Sequence, residues 1–190
     1  MLFNIPNSLT WARIALIPFF VGIYYLPESA ISASDKNMVA TLTFVTAAVT
    51  DWFDGYLART LGQTSAFGAF LDPVADKLMV AAALIVLVHL GRVDSLIALV
   101  IIGREITISA LREWMAKVGA SGSVAVAFVG KLKTAAQMSA IPLLLFQAPL
   151  GGFDSIALGT VLIYVAAVLT LWSMGYYMRC AWPELMKRSR

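Results

Sequence analysis

Asp51-Trp52-Phe53-Asp54-Gly55-Tyr56-Leu57-Ala58-Arg59, followed after eight residues by Gly68-Ala69-Phe70-Leu71-Asp72-Pro73-Val74-Ala75-Asp76, is the stretch on which the fold turns. Each half sits at the end of a long apolar run. Asp51, Asp54, Gly55 and Ala58 recur at i, i+3, i+4 and i+7, which puts them on one face of a helix. Gly68, Asp72 and Asp76 share a face of the next helix in the same way. The intervening loop is short, so the two helices are antiparallel neighbours and four carboxylates can converge on one cavity.

The rest of the chain says what surrounds that cavity. Of its 190 residues 60% are hydrophobic and 13% charged, against about 45–50% apolar in a soluble domain. A spanning helix takes about 20 residues, so six spans would use about 120 and leave about 70 for loops and ends. The apolar runs predict helices over 10–26, 38–58, 69–88, 95–116, 123–146 and 155–178, an all-α bundle of six transmembrane helices in a single membrane domain over residues 1–190. Pro18 and Pro142 fall inside two of these runs, where neighbouring helices can satisfy the freed backbone groups. No linker is long enough to divide the chain.

Basic residues orient the bundle. Arg13, Arg59, Lys77, Arg104, Arg112, Lys117, Lys131, Lys133, Arg179, Lys187, Arg188 and Arg190 fall on the side shared by both termini, whereas Lys36 and Arg92 fall on the other. The excess marks the cytoplasmic side, which puts both termini and the acids there. A cleaved signal peptide is the competing reading of the first run, with small residues over 29–33, but its positive charge arrives only at Arg13.

Several chemistries are excluded. Cys180 is the single cysteine and His89 the single histidine, so neither an internal disulfide nor a Cys/His zinc site can be built. A net charge of +3 with no basic-aromatic cluster sets nucleic acid aside. The eight methionines read as core filler, and the Ala136–Ala140 spacing as close helix packing.

Solvated loop acids are the plain reading of the carboxylates, and for Asp72 alone it is a fair one. For four together it fails: an Asp at mid-membrane costs about 2.5–3.5 kcal/mol on the insertion scale, and crowded acids repel unless a cation neutralises them. Hard divalent ions take oxygen ligands, commonly carboxylates plus substrate phosphates. Asp51, Asp54 and Asp72 are candidate ligands, and a diphosphate is the natural substrate. Gly55, Ala58 and Gly68 remove bulk where a ligand would approach, and Arg59 is one turn beyond Gly55 to clamp phosphate.

The pattern Asp-x2-Asp-Gly-x2-Ala-Arg-x8-Gly-x3-Asp-x3-Asp resembles the signature of the CDP-alcohol phosphotransferase family at all eight fixed positions over 26 residues. Asn4–Thr10, Gly103–Ile106, Ser109–Trp114 and Gly130–Thr134 resemble the bacterial members that use glycerol 3-phosphate, so the likeness runs along nearly the whole chain. The resemblance implies a six-helix homodimer in the bacterial inner membrane, acting in phospholipid biosynthesis. It also implies two Mg²⁺ or Mn²⁺ ions, CDP-diacylglycerol as phosphatidyl donor, and Asp76 as the base as well as a metal ligand. Gly55, Ala58, Arg59 and Gly68 would contact the CDP-lipid.

The acceptor side rests on cations. Arg104, Arg112, Lys131 and Lys133 lie at depths where lipid exposure is costly. Pairing with Glu105, Glu113 or lipid head groups is the ordinary explanation; a pocket for the phosphate of sn-glycerol 3-phosphate is the functional one. The alternative is the same chemistry with inositol phosphate, serine or choline as acceptor, and an inositol or serine acceptor would demand fewer cations. A membrane prenyltransferase also uses paired Asp motifs, but far apart, whereas Asp54 and Asp72 are 18 residues apart. A cation transporter would favour acids spread through the membrane and repeated halves, and the sequence has neither.

Overall fold

A computed structural model of the chain describes residues 5–60, 66–117, 128–149, 152 and 154–188; the side chains of 5, 6, 54–59, 66, 69, 183–185, 187 and 188 lie outside that description. The described residues form six α-helices and no strand: α1 Ile5–Gly22, α2 Ala33–Thr60, α3 Ala66–His89, α4 Ser95–Lys117, α5 Phe128–Phe146 and α6 Ser155–Arg188. A single 3₁₀ turn over Ile23–Tyr25 extends α1.

Helix ends differ from the apolar runs where polar residues carry the helix on. α1 begins ahead of Thr10 because Asn7 and Thr10, polar and invisible to hydropathy, are themselves buried. α2 begins at Ala33 because Ser32 caps it, accepting from the Asp35 amide at 3.2 Å and donating to the Asp35 carboxylate at 2.7 Å. Asp94 and Asp154 cap α4 and α6, accepting from the amides of Leu96 at 2.7 Å and Ile156 at 2.9 Å. α6 continues past Met178 to Arg188 through a stretch too polar for an apolar run to mark. Residues 123–127, expected to open the fifth helix, lie outside the described residues.

α1 packs against α2 and α3, α5 against α2 and α6, and α4 against α3 and α6. Phe20, Phe44, Leu84, Leu87, Ile141 and Leu144 fill the centre. The α5–α6 approach is close: a methyl group on Gly159 would lie 2.9 Å from the Leu144 side chain and 3.2 Å from that of Leu143. Ala136 and Ala140 of α5 are buried as well, in keeping with the small-residue packing of membrane helices.

The outside of the bundle is apolar. Phe19, Leu42, Ile85, Leu99, Val168 and Trp172 are all exposed, an arrangement suited to lipid rather than water. Within the described residues, Asn7–Tyr25 and Ser155–Trp182 are long and apolar enough to cross a membrane by themselves. The intervening helices carry the charges that dilute their hydropathy, and Lys36, Arg104 and Lys133 among those charges are turned inward and buried.

The junction of α3 and α4 fixes the bundle's end away from the acids. Gly91 has φ +68°, which glycine adopts without strain, and it closes α3 with paired bonds from the Gly91 amide to Val88 O at 3.0 Å and from the Arg92 amide to Leu87 O at 2.8 Å. That turn throws Arg92 back across the helix ends. Its guanidinium donates to Leu144 O at 3.1 Å, Leu145 O at 2.9 Å and Asn37 Oδ1 at 2.8 Å, satisfying carbonyls in the last turn of α5.

Candidate active site

The acids sit at the opposite end, where α1 threads between α2 and α3. Arg13 of α1 is 2% exposed and donates to Asp51 Oδ1 at 2.5 Å. One turn earlier, Thr10 donates to Asp72 Oδ1 at 2.6 Å. Thr10 and Arg13, spaced i and i+3, thus reach the two acid-bearing helices from one face of α1. A buried guanidinium so close to a carboxylate replaces part of the hydration that both groups lose on burial.

Asp51 and Asp76 line a common cavity of about 170 Å³ between α2, α3, α4 and α5, with Lys77, Glu105, Lys133 and Gln137 among its other walls. Lys133 is buried and donates to Glu105. Glu105 also lies 3.4 Å from the Arg104 guanidinium. Arg104 turns its other end into the α4–α6 interface, donating to Ser173 Oγ at 3.1 Å and stacking over the Tyr177 ring, 5.5 Å from its centre. Its Nε is buried with no hydrogen-bond partner among the described residues.

The four basic residues expected around an acceptor phosphate therefore have different places. Lys133 lines the cavity. Arg104 stands behind it, joined through Glu105. Arg112 is not among the cavity's walls and engages Tyr177, donating to its hydroxyl at 3.0 Å with the guanidinium 5.1 Å from the ring centre. Lys131 is exposed and is not among the cavity's walls. Of the positions expected to contact a CDP-lipid, Gly68 is buried in the first turn of α3, whereas the side-chain positions of Gly55, Ala58 and Arg59 lie outside the described residues, as does the side chain of Asp54.

Sequence patterning did not single out Thr10, Arg13, Glu105, Gln137 or Tyr177 for the site. Glu105, an acid beside Arg104, and Arg13 each carried a signal, as ionisable residues within membrane helices. Gln137 lies four residues beyond Lys133, on the same helical face.

The donor set suits a hard divalent cation. Asp51, Asp72 and Asp76 offer carboxylate oxygens alone, with no thiol or imidazole beside them, which is the ligand chemistry Mg²⁺ and Mn²⁺ select. α1 engages Oδ1 of Asp51 and of Asp72, and each carboxylate has a second oxygen to offer. Among the described residues no three His, Cys, Asp or Glu side chains form a metal-holding group; the fourth acid of the pattern, Asp54, falls outside them. Beside the acidic cavity, Phe44, Val49, Trp52, Met138 and Pro142 line an apolar groove of about 280 Å³ on the outer surface of α2 and α5. Met138 belongs to both.

A bundle with an apolar exterior, a polar cavity at one end and paired acidic helix faces describes an integral membrane enzyme for an anionic, lipid-linked substrate. The chain belongs to the CDP-alcohol phosphatidyltransferase family, whose model matches residues 3–172. Similar proteins of Yersinia enterocolitica (50% identical over 190 residues, 98% of this chain and 100% of the relative) and Pectobacterium atrosepticum (52% over 189 residues, with the same coverage) are both named CDP-diacylglycerol–glycerol-3-phosphate 3-phosphatidyltransferase. A protein of Salmonella paratyphi A with that name is 50% identical over 189 residues, covering 98% of this chain and 99% of its own.

Proposed function

We propose that this chain transfers the phosphatidyl group of CDP-diacylglycerol to sn-glycerol 3-phosphate, giving phosphatidylglycerophosphate and CMP. The observation that carries the reading is the cavity in which Asp51 and Asp76 face Lys133, next to an apolar groove open to lipid. Carboxylates for a metal-bound diphosphate, a cation for a second phosphate and an apolar track for acyl chains are the three requirements of this reaction. The names of relatives that match the whole chain support the same substrates.

Asp51, Asp54, Asp72 and Asp76 would hold two Mg²⁺ or Mn²⁺ ions, which when bound draw charge from the diphosphate and stabilise departing CMP. Asp76 accepts the proton of the attacking hydroxyl of glycerol 3-phosphate. That hydroxyl oxygen forms its bond to the phosphatidyl phosphorus as the bond from phosphorus to the CMP oxygen breaks. Gly55, Ala58 and Gly68 leave room for the CDP group, and Arg59 pairs with its phosphates. Lys133 and Arg104 attract the phosphate of the acceptor, with Glu105 holding Lys133 toward the cavity before that phosphate arrives. Arg112 and Lys131 add positive field at the same end of the bundle.

The chain acts as a single membrane domain and a homodimer in a bacterial inner membrane, with both termini and the acidic cavity on the cytoplasmic side. The bias of Lys and Arg toward that end supports this orientation. The test is transfer from CDP-diacylglycerol to a panel of radiolabelled acceptors by the purified chain in detergent. Glycerol 3-phosphate should be the preferred acceptor; preferential labelling of lipid by serine, choline or inositol phosphate would overturn the assignment.

A further inference from the structure

One wall of the acidic cavity has an unmet requirement. Gln137 is 4% exposed and lines the cavity, yet its Oε1 is buried without a hydrogen-bond partner among the described residues. Buried carboxamides are nearly always partnered, and an exception calls for an explanation such as a ligand or a water. The neighbouring polar walls have partners already: Lys133 pairs with Glu105, and Asp51 with Arg13.

Position gives the unmet group a meaning. Lys133 and Gln137 are i and i+4 on α5, one above the other and about 6 Å apart along the helix axis. Asp76 lines the same cavity from α3. A ligand that fits would carry an anion near Lys133 and, about one helical turn deeper, two adjacent hydroxyl groups: one for Asp76 and one for the carboxamide. A cavity of about 170 Å³ is some five to six times the volume of a water in the liquid, which is the scale of a small polyol phosphate.

We propose that Gln137 hydrogen-bonds the non-reacting hydroxyl of the acceptor and so selects a vicinal diol phosphate over a simple alcohol phosphate. The proposal rests on the glycerol 3-phosphate reading given above. In that acceptor the terminal hydroxyl attacks and the central hydroxyl stays free, so Gln137 reads the group that is not consumed. Its carboxamide can donate as well as accept, which suits a hydroxyl and gives no advantage to a plain methylene.

The test compares glycerol 3-phosphate with 3-hydroxypropyl phosphate, which lacks only the central hydroxyl. The wild-type chain should show kcat/KM roughly ten- to a hundredfold lower for 3-hydroxypropyl phosphate, the usual consequence of leaving one buried polar group unpaired. Gln137→Met, similar in shape but unable to hydrogen-bond in the same way, should lose that factor on glycerol 3-phosphate alone. The two acceptors would become equal within about threefold, with KM for CDP-diacylglycerol unchanged. Equal use of both acceptors by the wild-type chain overturns the inference even if the variant does not fold. An equal loss on both acceptors in a folded Gln137→Met variant, or discrimination left intact in it, overturns it too. Failure of the wild-type chain to use glycerol 3-phosphate at all overturns the underlying reading, and this inference with it.

Discussion

At the end of the bundle away from the acids, Arg92 donates to two carbonyls of α5 and to Asn37, and the buried Lys36 donates to Leu26 O at 2.6 Å. At the acidic end, Arg13, Arg104 and Lys133 face Asp51 and Glu105 instead. Each end buries some of its cations, Lys36 at one and Arg13, Arg104 and Lys133 at the other, where polar partners inside the bundle receive them. The difference lies in the partners. Backbone carbonyls and an amide have fixed, modest demands that a guanidinium can satisfy completely, so Arg92 acts as a clasp between helix ends. Carboxylates beside a cavity keep charge that a cationic or phosphorylated ligand can exchange for, and a cluster of that kind favours chemistry over mere packing.

Substitutions at the two ends would break or sharpen this contrast. The largest effect is expected at Asp76. Asn keeps its shape but cannot take a proton, so Asp76→Asn should lower kcat by about 10²–10⁴ while CDP-lipid binding is largely retained. Turnover and binding measured on the purified variant check this, with Asp51→Asn, which should weaken binding itself, as the comparison. Near-normal turnover would remove Asp76 from the role of base.

A smaller effect separates the cations of the acidic end from one another. Lys133→Ala should raise KM for glycerol 3-phosphate by roughly ten- to a hundredfold, the worth of one charge-assisted contact, with KM for the CDP-lipid little changed. Lys131→Ala, at an exposed position outside the cavity, should raise it by less than about threefold, since an exposed charge is largely screened. Steady-state kinetics in both substrates decide the matter, and equal effects of the two changes would mean that the cavity is not the acceptor site.

The smallest kinetic effect belongs to the far end. Arg92→Met should leave kcat and both KM values within about twofold, yet destabilise the bundle by about 2 kcal/mol through unmet carbonyls at the end of α5. The readout is a lower thermal midpoint in detergent with the kinetics intact. A catalytic defect without loss of stability would erase the distinction between the two ends.

The same contrast explains what the sequence reveals. Six apolar runs mark six helices, because a membrane helix must be apolar for about 20 residues and that need is local. The acids of α2 and α3 are legible for a similar reason: Asp51 with Asp54, and Asp72 with Asp76, repeat at helical spacing across one short loop. Thr10 and Arg13 are different. They meet Asp72 and Asp51 across 62 and 38 residues, and no periodicity links α1 to those positions. Lys36 and Arg92 are legible as isolated charges between apolar runs, but not as the residues that grip Leu26, Leu144 and Leu145, since backbone carbonyls leave no mark in a sequence. The basic residues of α4 and α5 are visible as a group, yet the group divides on Tyr177, which holds Arg104 and Arg112 from α6. An aromatic residue in an apolar helix looks like any other until its neighbours are known.

The central claim is that the acidic end works through divalent cations held by its carboxylates, and chelation tests it most directly. Purified in detergent and supplied with CDP-diacylglycerol and glycerol 3-phosphate, the chain should lose all measurable turnover in excess EDTA and regain it when Mg²⁺ or Mn²⁺ is restored. CDP-lipid binding should fall and return in parallel, because the diphosphate would otherwise meet uncompensated carboxylates. Turnover undiminished in excess EDTA would contradict the account.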